Sequence, residues 1–351
     1  MTAAAPMSES RTTRIDAFLA RAGWAAAERR PLAGDASFRH YLRLARGGES
    51  AVLMDAPPPM EDVRPFLHVA GLLARLGLSV PRILAHDVEH GLVLEEDLGD
   101  GTYACLLDAG QDAERLYAAA VDVLVALQAR VTAADRASVP AYDTPRMLDE
   151  ATVVPDWFLP AWTGRPTAPA ERADYLARWA AVLDAAPLGP PTLVLRDHHV
   201  GNLMWLPDRP GLARCGLLDF QDAVAGPAAY DLVSLLEDAR RDVPADLGAL
   251  MYERYLARAG IADRDGFAHA YAVLGAQRNL RIAGVFTRLD RRDGKPHYLP
   301  HMARVWGLVE RDVRHPALAP IAEWLDRHVP PAWRTAPPAR GMGQISAGGT
   351  A

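Results

Sequence analysis

The pattern of apolar and polar positions in the first sixty residues predicts one helix and two paired strands. Apolar residues recur at helical intervals over 15–22, and Gly23 follows them as a stop signal, so a short amphipathic helix is expected there. Side chains alternate in character over 38–44, a Gly-Gly turn follows, and residues 51–54 are apolar. That pattern is typical of a β-hairpin.

The next forty residues predict a second helix and a third strand. Apolar residues fall at helical spacing over 61–76, and Gly77 comes directly after them. A further apolar run at 91–94 suits a strand. After its first helix, the N-terminal region is therefore predicted to run strand, strand, helix, strand.

From about residue 102 onward the pattern becomes helical. The clearer helices are expected at 116–131, 172–183, 231–239 and 266–289. Two short strand-like runs interrupt them, 192–195 before Asp197 and 216–218 before Asp219. Two strand ends that each deliver an aspartate inside a helical region predict a functional site.

These patterns predict an α+β protein with two lobes. We expect a small strand-rich N-lobe over 11–98 and a larger, mostly helical C-lobe over 99–334. Residues 1–10 and 335–351 lack apolar periodicity and are predicted to be disordered.

Composition and charge exclude several classes of function. The chain has 351 residues, half of them hydrophobic, and a formal net charge of −6 without a basic run, which argues against a nucleic-acid partner. The two cysteines, Cys105 and Cys215, are far apart, so neither a disulfide framework nor a zinc site is expected. With no signal-peptide pattern and no apolar run of membrane length, we expect a cytoplasmic protein without a membrane partner, and a monomer.

One constellation carries chemistry, the spacing Asp197-x-x-x-x-Asn202 followed by Asp219-Phe220. Phosphoryl transfer needs an oriented acceptor hydroxyl and a metal ion held on the phosphates. Asp197 is suited to accept the hydroxyl proton, and Asn202 and Asp219 offer the oxygen ligands that Mg²⁺ prefers. Each residue alone is commonly a turn or helix-cap residue, and only the combination predicts a phosphotransferase.

The same segments resemble the catalytic and metal-binding loops of the aminoglycoside phosphotransferase and choline kinase superfamily. The resemblance implies a protein-kinase-like two-lobed fold with ATP and Mg²⁺ as cofactors. Residues 32–41 are similar to the nucleotide-covering turn of that superfamily, which implies nucleotide-binding roles for Gly34, Asp35 and Ser37. Asp231 resembles the aspartate that steadies the catalytic loop.

More narrowly, residues 54–58, 230–241 and 277–281 resemble segments of the bacterial anomeric sugar kinases. The resemblance implies phosphorylation of N-acetylmuramate and N-acetylglucosamine at C1 during cell-wall recycling, with a small sugar as the partner. A kinase for another hydroxylated metabolite, of the aminoglycoside, choline or homoserine type, is the alternative, and a pseudokinase that only binds nucleotide is another.

The chain departs from the superfamily at one position. The third strand normally ends with a lysine that pairs with the α- and β-phosphates, but here it ends at Met54, and the single lysine is Lys295. Arg39 or Arg43 is a candidate substitute, as are backbone N–H groups with magnesium. At the hinge that follows the predicted strand at 92–94, Glu95 and Asp97 are assigned to the nucleotide.

For the acceptor, the sequence offers arginines rather than a cluster of carboxylates. A guanidinium group matches a carboxylate such as the lactyl group of muramate, and solvation or local ion pairing is the alternative for each arginine. The candidate substrate-binding residues are His198, His199, Asp238, Arg240, Arg241, Arg278, Asn279 and Arg281. The four arginines are expected in two helical segments.

Overall fold

A computed structural model describes residues 10–32 and 38–339 of the chain. Contacts divide it into two compact units, one from residues 1–119 and 200–222 and the other from 120–199 and 223–351. No helix in the described ranges has both the length and the apolar character needed to cross a membrane. The first unit extends to residue 119, whereas the sequence predicted a lobe boundary at residue 98. The boundary at residue 98 stays a prediction.

Residues 10–32 and 38–130, as described, contain four helices and five strands. In chain order these are α1 (Arg11–Arg21), β1 (Glu28–Leu32), β2 (His40–Arg46), β3 (Glu49–Asp55), α2 (Arg64–Arg75), β4 (Ile83–Asp87), β5 (Leu92–Glu96), α3 (Tyr103–Asp108) and α4 (Ala113–Arg130). The boundary between the two units falls within α4.

The rest of the described chain is mostly helical, with four short strands. Its elements are α5 (Ala133–Ala137), α6 (Thr144–Ala151), α7 (Leu159–Thr163), α8 (Pro169–Ala185), β6 (Thr192–Val194), β7 (Leu203–Trp205), β8 (Cys215–Leu217), β9 (Val224–Gly226), α9 (Ala229–Leu236), α10 (Ala245–Ala259), α11 (Arg264–Asp293), α12 (Met302–Asp312) and α13 (Ala319–His328). The helix-rich C-terminal part and the strand-rich N-terminal part confirm the predicted α+β class.

The first unit is built on a five-stranded antiparallel sheet of order β1-β2-β3-β5-β4. Helix α1 packs on one face, where Phe18 and Leu19 join Leu44, Leu53 and Leu94 in a buried core. Because successive side chains of a strand point to opposite faces, the intervening residues of β2, β3 and β5 point to the other face. The sheet therefore presents its second face for a ligand pocket.

The sequence missed the two outer strands of this sheet. β1 and β4 lie at its edges, and their residues alternate between exposed and half-buried positions. β1 has the sequence Glu-Arg-Arg-Pro-Leu, which carries no apolar alternation. An edge strand buries less apolar surface than a central one, so hydrophobic patterning detects it poorly.

The second unit is organised around α11, a 30-residue helix that is buried along much of its length. Its core includes Trp179, Trp306 and Trp324, and β6 pairs antiparallel with β9. The helix predicted at 231–239 ends at Leu236, because Glu237 leaves helical geometry at φ −121° and ψ 51°. Arg240 and Arg241 consequently lie in a bend rather than in the predicted helix.

The chain termini and one loop fall partly outside the described residues. The predicted disorder of 1–9 and 340–351 and the predicted nucleotide contacts of Gly34, Asp35 and Ser37 lie there. Ser10 is the N-cap of α1, with its side chain accepting a hydrogen bond from the Thr13 backbone N–H. Within 335–339, Ala336 packs against the core of the second unit and Pro338 O accepts a hydrogen bond from Arg291.

Two helical glycines of the second unit provide a matched test of packing. A Cβ at Gly284 of α11 would lie 2.5–2.7 Å from Val153 atoms, whereas one at Gly307 of α12 would meet nothing within 4 Å. We expect Gly284→Ala to lower the free energy of unfolding by about 1–3 kcal/mol through overpacking. Gly307→Ala should leave it unchanged or raise it by up to about 1 kcal/mol. Urea denaturation measures both, and equal effects would contradict the packing described here.

Candidate functional site

A buried aspartate holds the loop that carries Asp197. Strand β6 ends at Val194, and the carboxylate of Asp231 on α9 accepts hydrogen bonds from the backbone N–H groups of Leu195 (2.6 Å) and Arg196 (2.8 Å). Ser234, one turn later on α9, donates from its hydroxyl to Arg196 O at 2.8 Å. Burial raises the pKa of Asp231 to about 7, although both backbone bonds favour the ionised form.

The clamped loop contains a strained backbone. Arg196 has φ of +73°, in the left-handed region that residues other than glycine seldom adopt. Strain of this kind persists only where surrounding contacts fix it. The hydrogen bonds from α9 supply those contacts, and Asp197 follows immediately with a half-buried side chain.

The side chain of Arg196 is fixed by a second acid, Glu150 of α6. Arg196 forms an ion pair with Glu150, and its guanidinium lies 5.3 Å from the centre of the Tyr142 ring. The Glu150 carboxylate also accepts from the Tyr142 hydroxyl at 2.7 Å and from Arg281 Nε at 3.1 Å. The sequence analysis missed Glu150, and Arg281 is already paired with it.

The two histidines after Asp197 lie in different surroundings. His198 is fully buried, and desolvation lowers its pKa to about 3, so it is neutral at physiological pH and packs beneath the loop. His199 Nε2 lies 2.9 Å from the Arg240 guanidinium. An arginine can only donate, so Nε2 must accept and the ring proton must sit on Nδ1. Burial, opposed by Asp238, lowers the pKa of His199.

The bend after α9 brings several predicted acceptor-site residues together. Asp238 is buried and accepts from the Arg240 backbone N–H at 2.8 Å. Arg278 on α11 donates to Glu237 O at 3.3 Å. Arg241, the next residue along this bend, is half-buried.

Asn279 has a different environment from the expected sugar contact. Its side chain is completely buried and donates to Glu237 Oε2 (2.6 Å) and Asp312 Oδ2 (3.0 Å). Desolvation and the neighbouring Glu237 charge raise the pKa of Asp312. Both hydrogen bonds of the Asn279 Nδ2 group are therefore made within the protein, where they join α11 to the bend after α9 and to the end of α12.

In the first unit, β7 and β8 pair antiparallel and place Asn202 and Asp219 side by side. Leu218 N–H donates to Asn202 O at 2.9 Å, and Asn202 Nδ2 lies 3.4 Å from Asp219 Oδ2. Asp219 adopts φ of +54°, and its Oδ1 accepts from Gln221 Nε2 at 2.8 Å. Phe220 stacks on Phe66 of α2 with ring centres 5.1 Å apart, which anchors the segment.

A carboxylate with a neighbouring amide oxygen fits a magnesium ion that keeps water and phosphate ligands. Mg²⁺ is usually held by one or two carboxylates together with substrate phosphates rather than by an all-protein cage. Consistently, no group of three or more His, Cys, Asp or Glu suited to a metal occurs in residues 10–32 and 38–339. Asn202 and Asp219 would therefore need a phosphate ligand to hold a metal ion.

A cavity of about 260 Å³ lies in the same unit, on the sheet face opposite α1. Asn202 and Asp219 line it, as do Glu95 and Asp97 from the predicted hinge. Its apolar lining includes Leu32, Val52, Met54, Phe66, Met204 and Leu218. A mostly apolar cleft with a few convergent polar groups is the usual form of a small-ligand pocket, and here the polar groups include the candidate metal ligands.

The two arginines considered as substitutes for the strand lysine differ in their partners. Arg43 lies 2.8 Å from Asp97 Oδ2 and 2.8 Å from Asp100 Oδ1, and donates to Gly99 O at 3.1 Å, so it ties the hinge to β2. Arg39 Nε lies 3.1 Å from Glu61 Oε2, and its Nη1 lies 3.7 Å from Asp219 Oδ1. The sequence analysis missed Glu61, because nothing local distinguishes it from a solvated acid before a helix.

Glu95 introduces a buried acid into the pocket wall. It is 6% exposed, and its Oε2 has no hydrogen-bond partner in the described part of the chain. Desolvation raises its pKa to about 8, so much of it is protonated at neutral pH. A carboxylic acid in this state presents one donor and one acceptor to a pocket ligand.

Comparisons with known proteins give one consistent result. A sequence model of a protein family, described as the phosphotransferase enzyme family, matches residues 28–271 of the chain. An N-acetylmuramate/N-acetylglucosamine kinase of Caulobacter vibrioides is 38% identical, over 92% of this chain and 98% of the relative. The kinase of the same name from Pseudomonas aeruginosa is 40% identical, over 85% and 88% of the two chains.

A solved structure shows the same fold. The ADP-bound aminoglycoside phosphotransferase APH(2'')-Ib aligns with a TM-score of 0.59 at 13% identity, over 87% of this chain and 97% of that one. The predicted protein-kinase-like two-lobed fold, with a small strand-rich N-lobe and a larger helical C-lobe, is confirmed.

The raised pKa of Glu95 predicts a pH dependence of stability. Its carboxyl should ionise near pH 8 in the folded chain but near 4.3 when unfolded. Between these values the folded state binds more protons, so the free energy of unfolding contributed by this group falls as pH rises. Glu95→Gln removes that loss, and we expect the variant to gain stability relative to wild type between pH 5 and pH 8, as measured by urea denaturation.

The exposed Glu89 provides the control for this experiment. The stability of Glu89→Gln should follow wild type at both pH values. Parallel pH dependence of wild type and Glu95→Gln would show that Glu95 is ionised in the folded protein.

Proposed function

The chain belongs to the phosphotransferase enzyme family, and we propose that it is a sugar kinase that transfers the γ-phosphoryl group of ATP to the C1 hydroxyl of N-acetylmuramate and N-acetylglucosamine. The observation that carries the proposal is the identity of 36–40% with four kinases of that name, over most of each chain. Products of this kind suit the recycling of cell-wall sugars.

We assign the proton transfer to Asp197. The acceptor oxygen forms a bond to the γ-phosphorus, the bond from that phosphorus to the ADP oxygen breaks, and the hydroxyl proton passes to the Asp197 carboxylate. An anomeric hydroxyl is more acidic than an ordinary alcohol, so a carboxylate is a sufficient base. The bonds from Asp231 fix the backbone on which this base is carried.

We assign the metal to Asn202 and Asp219, and the nucleotide to the cavity of the first unit. The proposed metal is Mg²⁺, which when bound neutralises charge on the phosphates. The apolar lining suits a purine base, and the backbone around Asp97 offers hydrogen-bonding groups to its edge. Use of ATP favours the cytoplasm as the site of action, and since every assigned residue belongs to one chain, a monomer is sufficient.

We further propose that Arg39 replaces the missing strand lysine. In protein kinases that lysine is held by a glutamate of the following helix. Here Arg39 is held by Glu61, just before α2, and approaches Asp219 to 3.7 Å. Arg43 is less suited, because two carboxylates and a carbonyl already occupy its guanidinium.

Product analysis tests the reaction. Phosphorus NMR of enzyme incubated with Mg-ATP and N-acetylmuramate or N-acetylglucosamine should show an anomeric sugar phosphate. Asp197→Asn should lower kcat by about 100-fold or more, the range for loss of a general base. Asp184→Asn, at an exposed position of α8, is the matched control and should keep wild-type activity. A phosphate on another ring position, or on another acceptor only, would refute the substrate assignment.

Moving the positive charge from residue 39 to residue 54 tests the role of Arg39. Arg39→Met should raise the KM for ATP by about tenfold or more, because a charged contact to phosphate is lost. Met54 lies opposite Tyr41 in the sheet and lines the cavity, so Met54→Lys should restore part of the affinity in the Arg39→Met background. Arg30→Met on β1, with an Arg30 side chain that is 72% exposed, is the control. An unchanged KM in Arg39→Met would rule the assignment out.

A further inference from the structure

Arg278 is a buried cation whose surroundings do not neutralise it locally. Only 4% of the residue is exposed, yet its hydrogen bond is to a backbone carbonyl, that of Glu237 at 3.3 Å. Within the described residues, no carboxylate lies at ion-pair distance from its guanidinium. Asp231, whose pKa the Arg278 charge lowers, is committed to the two backbone N–H groups of the catalytic loop.

A second guanidinium faces the same group of residues. Arg240 donates to His199 Nε2. After burial, the charges of Asp238, Arg240, Asp197 and Arg278 act on the pKa of His199. His199 therefore has the proposed base and both arginines among its neighbours. Asp238 is the nearest acid on the bend, and it accepts from the Arg240 backbone N–H rather than from its guanidinium.

Positive charge also extends along the neighbouring helix α12. Arg304 donates to Ala239 O at 3.3 Å and pairs with Asp242. Burial, assisted by the charges of Arg304 and Arg240, lowers the pKa of His301. With His199 neutral, the acids that face this bend are Asp197, Asp238 and the outward-paired Asp242. None of these carboxylates makes an ion pair with Arg278 or Arg240 in the described chain.

Burial of the Arg278 guanidinium without a carboxylate partner is unfavourable unless an anion completes its coordination, and Arg240 is exposed and accessible to the same anion. The planar fork of arginine matches a carboxylate through two parallel hydrogen bonds. We propose that Arg278 and Arg240 form a carboxylate subsite beside Asp197, which binds the lactyl group of N-acetylmuramate. The inference rests on the proposed function, and it makes these arginines the determinants of preference for N-acetylmuramate over N-acetylglucosamine, which lacks that group.

This assignment separates the four arginines that the sequence analysis grouped together. Arg281 is excluded because Glu150 already holds it at 3.1 Å. Arg241 has a half-buried side chain, and the charges that act on His199 are those of Asp238, Arg240, Asp197 and Arg278. Arg278 and Arg240 remain, and they approach His199 from α11 and from the bend after α9.

Steady-state kinetics on the two sugars test the subsite. Arg278→Gln keeps a donor for Glu237 O but removes the charge, and it should lower kcat/KM for N-acetylmuramate by about 10- to 100-fold. Its kcat/KM for N-acetylglucosamine should change by less than about threefold. Arg240→Gln should act in the same direction. Arg264→Gln, at an exposed position of the same helix, is the control. Equal losses for both sugars would overturn the proposal, because they would mean that the arginines only position His199.

A second measurement avoids any change to the protein. The methyl ester of N-acetylmuramate keeps the lactyl group but removes its charge, and with wild-type enzyme its kcat/KM should fall by about tenfold or more. Equal efficiency for acid and ester would overturn the proposal even if Arg278→Gln failed to fold.

If wild-type protein phosphorylates neither sugar, the proposed function fails and binding decides the subsite separately. Calorimetric titration of N-acetylmuramate should then give binding that Arg278→Gln loses. Absence of binding to wild type would overturn the inference.

Discussion

The hydrogen bonds from Asp231 to the backbone of Leu195 and Arg196 are the contact on which the rest of the acceptor side depends. They join α9 to the end of β6 and hold a left-handed residue directly before the proposed base. A buried carboxylate is stable only while its acceptor capacity is used, so the loop and the helix stabilise one another. Because α9 is held in place by these bonds, the bend that follows it, with Asp238 and Arg240, is also positioned by them.

Arginines held by acids occur in each of the two units. Glu150 fixes Arg196 and Arg281, and Glu61 fixes Arg39. A guanidinium stays charged throughout the physiological range and can satisfy several acceptors in one plane. Where an acid lacks such a cation, as with Glu95, burial raises its pKa instead. Arg39 thus keeps an acid of the protein beside it, whereas the hydrogen bond of Arg278 goes to a backbone carbonyl.

The parts of the fold that bury a continuous apolar pattern could be predicted from the sequence, and the parts that depend on long-range partners could not. The hairpin of β2 and β3, the helix α2 and the two strand ends before Asp197 and Asp219 follow from local spacing. β1 and β4 were not predicted because an edge strand needs little apolar alternation. Glu61 and Glu150 were not identified because a partner distant in sequence distinguishes them from solvated acids. The burial of Asn279 likewise cannot be predicted from one amide on a helix.

The position of Met54 in the cavity wall has a consequence for chemical labelling. Nucleotide reagents that carry an acyl-phosphate modify kinases by acylating the amine of the strand lysine. Among the described residues, none that lines this cavity is a lysine, since Lys295 is the single lysine of the chain and lies elsewhere. Guanidinium groups remain protonated and are poor nucleophiles toward acyl groups. A survey of kinases by lysine acylation would therefore not label this protein, even with its nucleotide pocket fully formed.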